Sequence, residues 1–306
     1  MKKKLKHIWK LLKRSANRFK KDDPIRLAGT TAYFAIFGMA PIIIIITSVI
    51  GILMGQEEIQ QKVFNEVNAL VGEEGTGYIR DLVSNYQDTD KGIIGTIIGI
   101  AIFLITSTTF FTILQQGINH VWRIKAKPSH NFLKTLYDRL ISFGLILSMG
   151  LLLLISLLID AGIAFLEDYL EQLFPHITVV LIRIGNFLVS FGIIMFIFAL
   201  IYKFLPDAHI KWKVTWTGAF ITAILFTIGK LLIGLFIGQS NIGVMYGAAG
   251  SLVVILLWVF YSSIIFFFGA EITQQYAEMY AHAIEPKDYA VKVEVREVQA
   301  EKENEQ

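Results

Sequence analysis

The chain has 306 residues, of which 54% are hydrophobic and 17% charged, with a net charge of +3 and no cysteine. That is more apolar surface than one soluble core of this length can cover, which excludes an ordinary soluble domain and points to a membrane. Disulfides and thiolate chemistry are excluded as well, whereas the redox compartment stays open.

Residues 1–26 hold eleven Lys and Arg, and Leu5, Ile8, Trp9, Leu12, Ala16 and Phe19 recur through them at helical spacing. This is the pattern of an amphipathic helix lying on an anionic membrane surface, so the expected partners are membrane lipids, met through their anionic headgroups. A nucleic-acid site has the same charge signature. Trp9 and Phe19 on the apolar face, with a long apolar run directly behind, favour lipid, and no nucleic acid is expected. That run, Leu27 to Met54, is longer than the apolar core of a secretory signal, and no small-residue cleavage site follows it. It reads as a retained first span.

Six apolar runs are long enough to cross about 30 Å of hydrocarbon: 28–54, 92–114, 140–165, 177–204, 213–238 and 246–270. The expected fold is all-α, a polytopic bundle of six transmembrane helices occupying residues 27–272. It is preceded by the basic segment 1–26, interrupted by an outer loop at 55–91, and followed by a charged tail at 273–306. Lys and Arg concentrate in the N-terminal segment, in 115–139, around 205–212 and in the tail. The connections 55–91 and 166–176 are rich in acids, and 239–245 has no charge. Cytoplasmic segments are the basic ones, which places both termini on the cytoplasmic side of the membrane. In the outer loop, Ile59, Val63, Val67 and Leu70 share one helical face, so a short capping helix is expected there. The tail from Glu285 onward is rich in Glu, Lys and Val and is expected to be mobile.

Between Val214 and Ala270 the only formal charge is Lys230. A lysine at the centre of a bilayer costs roughly 2.5–3.5 kcal/mol on insertion scales, so its presence needs a reason. The topology sets Lys230 about 12 Å below the outer end of its span. It sets Asp160 and Arg183 at a similar depth in the third and fourth spans. Three accounts are open at this point. The cations extend separately to the interface, or all three groups form a structural ion pair, or they line a cavity that is net positive and suits a phosphate headgroup or carboxylate. Pro41 removes a hydrogen bond from the first span, and with Gly38 nearby it is expected to kink or hinge it. Glycines 218, 229, 234 and 238 suit close helix packing. Thr106, Ser107, Thr108 and Thr109 form a polar turn whose hydroxyls can bond their own helix carbonyls. Glu271 is expected at the cytoplasmic end of the last span.

The six histidines, at 7, 120, 130, 176, 209 and 282, are scattered, and none has metal-ligand spacing. There is no Walker loop, no Gly-x-Ser-x-Gly elbow and no dinucleotide fingerprint. The expectation is therefore a protein that is not an enzyme and has no metal and no cofactor.

Several stretches resemble the YihY/BrkB family of bacterial inner-membrane proteins. The first span resembles that family's opening span through Ala32, Tyr33 and Pro41, and "GINHVWRIKAKPSHNF" is similar to its Asn-x-x-Trp hairpin through Asn119 and Trp122. The C-terminal third carries Pro206, Trp212, Gly218, Lys230, Tyr246, Gly247, Trp258, Tyr261, Gly269, Ala270 and Glu271 in the family's order and at similar separations. The resemblance, over residues 20 to about 280, implies six spans with both termini inside and no defined activity. Such proteins once carried a ribonuclease label, which the missing metal constellation here does not support. The expected function is transport or lipid translocation of an anionic substrate bound by Asp160, Arg183 and Lys230. A non-catalytic envelope scaffold is the alternative, and an ion or proton antiporter using Asp160 or Glu271 is a second.

Overall fold

The computed structural model describes residues 2–54, 56–87, 93–127, 140–141, 144–149, 151–152, 155, 175–239, 245–246, 249–280 and 284–294. Its long helices are α1 (Lys2–Phe19), α2 (Pro24–Met54), α3 (Gln56–Gln87), α4 (Ile93–Val121), α5 (Pro175–Phe204), α6 (Trp212–Gln239) and α7 (Gly250–Tyr280). Three described segments, Ile184–Phe204, Trp212–Phe236 and Gly250–Tyr280, are long and apolar enough to cross a membrane. The expected third span lies mostly outside the described residues. Helix is present there at 144–149, where Leu145 and Ile146 join the core.

α1 presents Leu11, Ser15 and Phe19, four residues apart, as one buried face, and α7 receives it. Phe19 meets Phe268 at 5.4 Å between ring centroids, and His7 Nδ1 is 2.9 Å from the Tyr280 hydroxyl. The N-terminal helix is thus docked on protein along part of its apolar side, while Trp9 remains 70% exposed. A 3₁₀ turn at Lys20–Asp22 ends it, and Asp23 turns the chain with φ 49°. Short polar Asp tolerates this left-handed conformation. Pro24 then opens α2, where a missing N–H costs nothing and the fixed φ is already helical. α2 continues through Pro41 to Met54, so the proline does not end the helix. Beside it, a Cβ on Gly38 would stand 3.0 Å from the Phe110 Cβ of α4.

The outer connection departs from the expected short helix. α3 spans 32 residues and breaks at Gly72, whose φ of 78° and ψ of 175° suit glycine. Arg80 stacks its guanidinium 5.3 Å from the Phe64 ring centroid, and these residues stand eight positions on either side of Gly72. The two arms therefore fold into an antiparallel hairpin. Val63, Phe64, Thr76, Ile79 and Val83 are buried as the hairpin packs on α2 and α7.

α7 is the central element, packed by α1, α2, α3, α4 and α6. Its contact with α6 is antiparallel and tight. A Cβ on Gly218 of α6 would overlap Thr273 of α7, and one on Gly269 of α7 would overlap Thr222 of α6. Nearer the outer side, Gly229 gives way to Tyr261. Thr222 and Thr273 donate their hydroxyls to Gly218 O and Gly269 O on their own helices, each at 2.8 Å, so the threonines bury no unmet donor. Tyr202 of α5 donates to Phe266 O at 2.7 Å and lies 3.2 Å from Thr222 Oγ1, joining a third helix to the pair.

The fold is mostly helical, as expected, and two small sheets add to it among the described residues. β1 (Ile124–Ala126) pairs antiparallel with β4 (Ala290–Lys292), and β2 (Ala208–His209) with β3 (Glu285–Pro286). The chain after α7 is therefore ordered at 284–294, where a mobile tail was expected, because its backbone groups find partners in both basic connections. α7 itself runs to Tyr280, so Glu271 lies two to three turns inside the helix, away from its end.

Gly269→Leu forces Thr222 and Tyr202 apart and is expected to destabilise the protein by about 1–3 kcal/mol, read as a lower melting midpoint in detergent. Gly185→Ala, whose Cβ meets nothing within 4 Å, leaves the midpoint unchanged or raises it. Truncation after residue 283 removes β3 and β4, and is expected to speed tryptic cleavage at Arg123, Lys125 and Lys211 while the helical content is kept.

Candidate functional site

At the end of the bundle where α1, α7 and the turn after α4 meet, polar side chains replace the apolar core. Glu271 and Asp22 are both fully buried. Arg18 of α1 reaches Glu278 with 3.1 and 3.3 Å contacts, and its Nε is 3.8 Å from Glu271 Oε1. Gln275 Nε2 donates to Glu271 Oε1 at 3.1 Å. Gln274 Nε2 donates to Glu278 Oε1 at 3.3 Å. Asp22 is ion-paired with Arg123. Arg123 has φ 57°, a backbone conformation unusual for a non-glycine residue, and this turn aims it back at the 3₁₀ segment.

In this layer three carboxylates face two guanidiniums. Burial pushes the Asp22 carboxyl up, opposed by Arg123, His120 and Arg18. Burial likewise pushes the neighbouring His120 down, more than Asp22 pulls it up. Four buried oxygens at this contact, Ser15 Oγ, Asp22 Oδ2, Glu271 Oε2 and Gln274 Oε1, have no hydrogen-bond partner among the described residues. An isolated buried acceptor costs about 1–3 kcal/mol, so this contact concentrates polar groups that packing by itself does not satisfy.

A second polar knot lies between α4 and the α5–α6 connection. Asp207 Oδ2 accepts from Asn119 Nδ2 at 2.8 Å, and Asp207 Oδ1 accepts from Gln115 Nε2 at 3.2 Å. The Asp207 N–H returns a bond to Asn119 Oδ1 at 3.0 Å, and its carbonyl accepts from Lys287 N at 3.0 Å. One aspartate thereby ties two connections and the returning tail. Beside it, Trp122 donates from Nε1 to Ala270 O at 2.9 Å.

Three clefts open at this end. One of about 480 Å³ is lined by Asn119, His120, Arg123, Lys125 and Asp207 among others. A second, about 490 Å³, lies between Lys203, Lys211, Trp212 and Glu285. The third, about 770 Å³, is the most cationic, with Arg14, Arg18, Lys21, Arg123 and Lys292 on its walls.

The family model described as Virulence factor BrkB matches residues 15–292. The chain belongs to that family. Among its relatives are proteins named UPF0761 membrane protein. That of Pseudoalteromonas translucida is 25% identical over 259 residues, covering 82% of this chain and 81% of that protein. That of Alteromonas mediterranea is 24% identical over 271 residues, 86% of each chain. A Pseudomonas paraeruginosa relative is 25% identical over 269 residues, and this chain spans 60% of its length. No solved structure matches.

This BrkB-family member is a membrane protein, and its fold gives most of the resembling residues structural work. Asn119 and Trp122 anchor the turn after α4. Pro206 is buried beside Asp207. Trp212 carries Lys203 Nζ 5.4 Å from its ring centroid and stacks on Trp216. Gly218, Gly269 and Tyr261 form the α6–α7 contact, and Trp258 meets Phe226 edge-on. Tyr33 is 58% exposed on the outer face of α2, next to Phe37, and Tyr246 is exposed as well. Of the turn in the second span, Thr108 and Thr109 both donate to Ile105 O, as backbone solvation requires.

The three expected substrate residues are placed unequally. Asp160 and Gly247 lie outside the described residues, and Arg183 belongs to α5 with its side chain outside them. Lys230 is half-buried on α6. The acidic and basic groups at this end of the bundle, Arg18, Asp22, Arg123 and Asp207, were not singled out from the sequence. They fall in connections whose charge had been read only as an orientation signal. The one available clue was Asp22 and Asp23 inside an otherwise basic run.

Arg123→Ala leaves Asp22 buried without its counter-ion, at a cost of roughly 3–5 kcal/mol. The double variant Asp22→Asn, Arg123→Gln is expected to cost less than the sum of its single changes, measured as a coupling energy in a double-mutant cycle.

Proposed function

We propose that this protein translocates an anionic substrate across the bacterial plasma membrane, with both termini in the cytoplasm. In this reading Lys230 contacts the substrate, helped by Arg183 and moderated by Asp160. One observation carries it: Lys230 sits inside the apolar segment Trp212–Phe236, yet its side chain is half-buried, one residue past the point where Tyr261 closes on Gly229. The open side of the same helix is taken by Leu231, Leu232 and Leu235. The lysine therefore stands at the edge of the packed face, where an ammonium can be shared between protein and a passing anion. At roughly 2.5–3.5 kcal/mol for a central lysine, a group with no task would be a standing cost. The cationic clefts at the other end of the bundle have the sign that would gather such a substrate.

The test is flux in proteoliposomes with fluorescent phosphatidylglycerol or a small labelled anion. Lys230→Met is expected to lower the rate at least tenfold with unchanged melting midpoint, and Lys230→Arg to keep most of it. Absence of flux in the unaltered protein under any gradient would leave an envelope scaffold as the better reading.

A further inference from the structure

The third and largest of these clefts carries an inference that stands apart from Lys230. We propose that the cleft bounded by α1, the Arg123 turn, α7 and β4 is a phosphate-binding site. Its walls hold Arg14, Asn17, Arg18, Lys21, Arg123, Gln275, Glu278, Lys292, Val293 and Glu294, about 770 Å³ in all. Two of its five cations are fixed in place from behind. Arg18 is held by Glu278 and Glu271, and Arg123 by the fully buried Asp22. Guanidiniums anchored in this way are pre-organised, so a ligand that meets them need not order them first.

Arg14, Lys21 and Lys292 add three further cations, so the five outnumber the cleft's carboxylates, Glu278 and Glu294. Lys292 is not a loose tail residue. Its backbone pairs with Ile124, and Val293 N donates to Arg123 O at 2.8 Å, so β4 holds it next to the Arg123 turn. Asn17 adds a neutral amide to the walls. Five cations drawn from four separate segments match the charge and hydrogen-bonding demands of a phosphate monoester better than those of a carboxylate, which presents fewer acceptors. The group can arrive on a soluble molecule or on a lipid, since Trp9 and Ile25, which precede and follow the wall residues Arg14 to Lys21 in the chain, are exposed apolar side chains.

The experiment uses the full chain in phosphatidylcholine nanodiscs, with binding read by calorimetry and by melting midpoint at constant ionic strength. One arm titrates inorganic phosphate and glycerol phosphate against chloride. The other compares nanodiscs with and without phosphatidic acid. Saturable binding in the first arm supports the site with a soluble ligand, and a midpoint shift only in the second supports it with a lipid headgroup. In either case the exposed pair Lys21→Gln, Lys292→Gln is expected to weaken binding at least tenfold without loss of helical signal. Lys10→Gln, Lys13→Gln, equal in charge but outside the cleft, leaves it within twofold. No phosphate dependence in either arm, or an equal loss in both double variants, would overturn the proposal, the latter in favour of diffuse attraction to the basic helix.

Discussion

Where α6 and α7 cross, each helix offers a glycine to the other's threonine, Gly218 to Thr273 and Gly269 to Thr222. Between helices in lipid there is no water to expel, so association depends on close van der Waals packing and on hydrogen bonds. A missing Cβ on both sides is what lets these backbones approach. The hydroxyls that fill the space are already bonded to their own helices, which removes the penalty of placing polar atoms there. With Tyr202 bonded to the same place, the contact fixes the rotation of α7. That rotation decides which of its residues face α1, α2 and α4.

The polar layer at the end of α7 follows from this placement. Glu271 and Gln275, one turn apart, point toward α1, and Ala270 turns its carbonyl to Trp122. Arg18 can satisfy Glu271 and Glu278 together only because the two carboxylates rise from one rigid helix. The connections are tied in turn by Asp207 and by the strands after α7. The result is a cross-linked end of the bundle, in which the basic residues of the connections also become the walls of clefts.

The outer half of the described structure is built differently. Past Gly229, α6 presents Leu231, Leu232, Leu235 and Phe236 as exposed side chains among the described residues, and the α3 hairpin covers α2 and α7. Lys230 is half-buried at the boundary of these two regimes.

Helix placement was legible in the chain because apolar length and charge asymmetry are one-dimensional properties. Helices α2, α4, α5, α6 and α7 fall on five of the six apolar runs, and Gly218 and Gly229 serve close packing whereas Gly234 has nothing within 4 Å of a Cβ. The 32-residue hairpin was foreshortened because its break depends on a single φ at Gly72, and no run of residues announces it. The tail was misjudged for a related reason. Its composition is that of a solvated segment, and only the two connections it meets supply the backbone partners that order it. By itself the sequence determined that the protein lives in a membrane, where its long helices run and which ends are basic, since hydropathy and charge need no partner. Tertiary structure alone decided which of those charges pair, which cleft they line and which glycine meets which threonine, because such contacts join residues 47 to 260 positions apart.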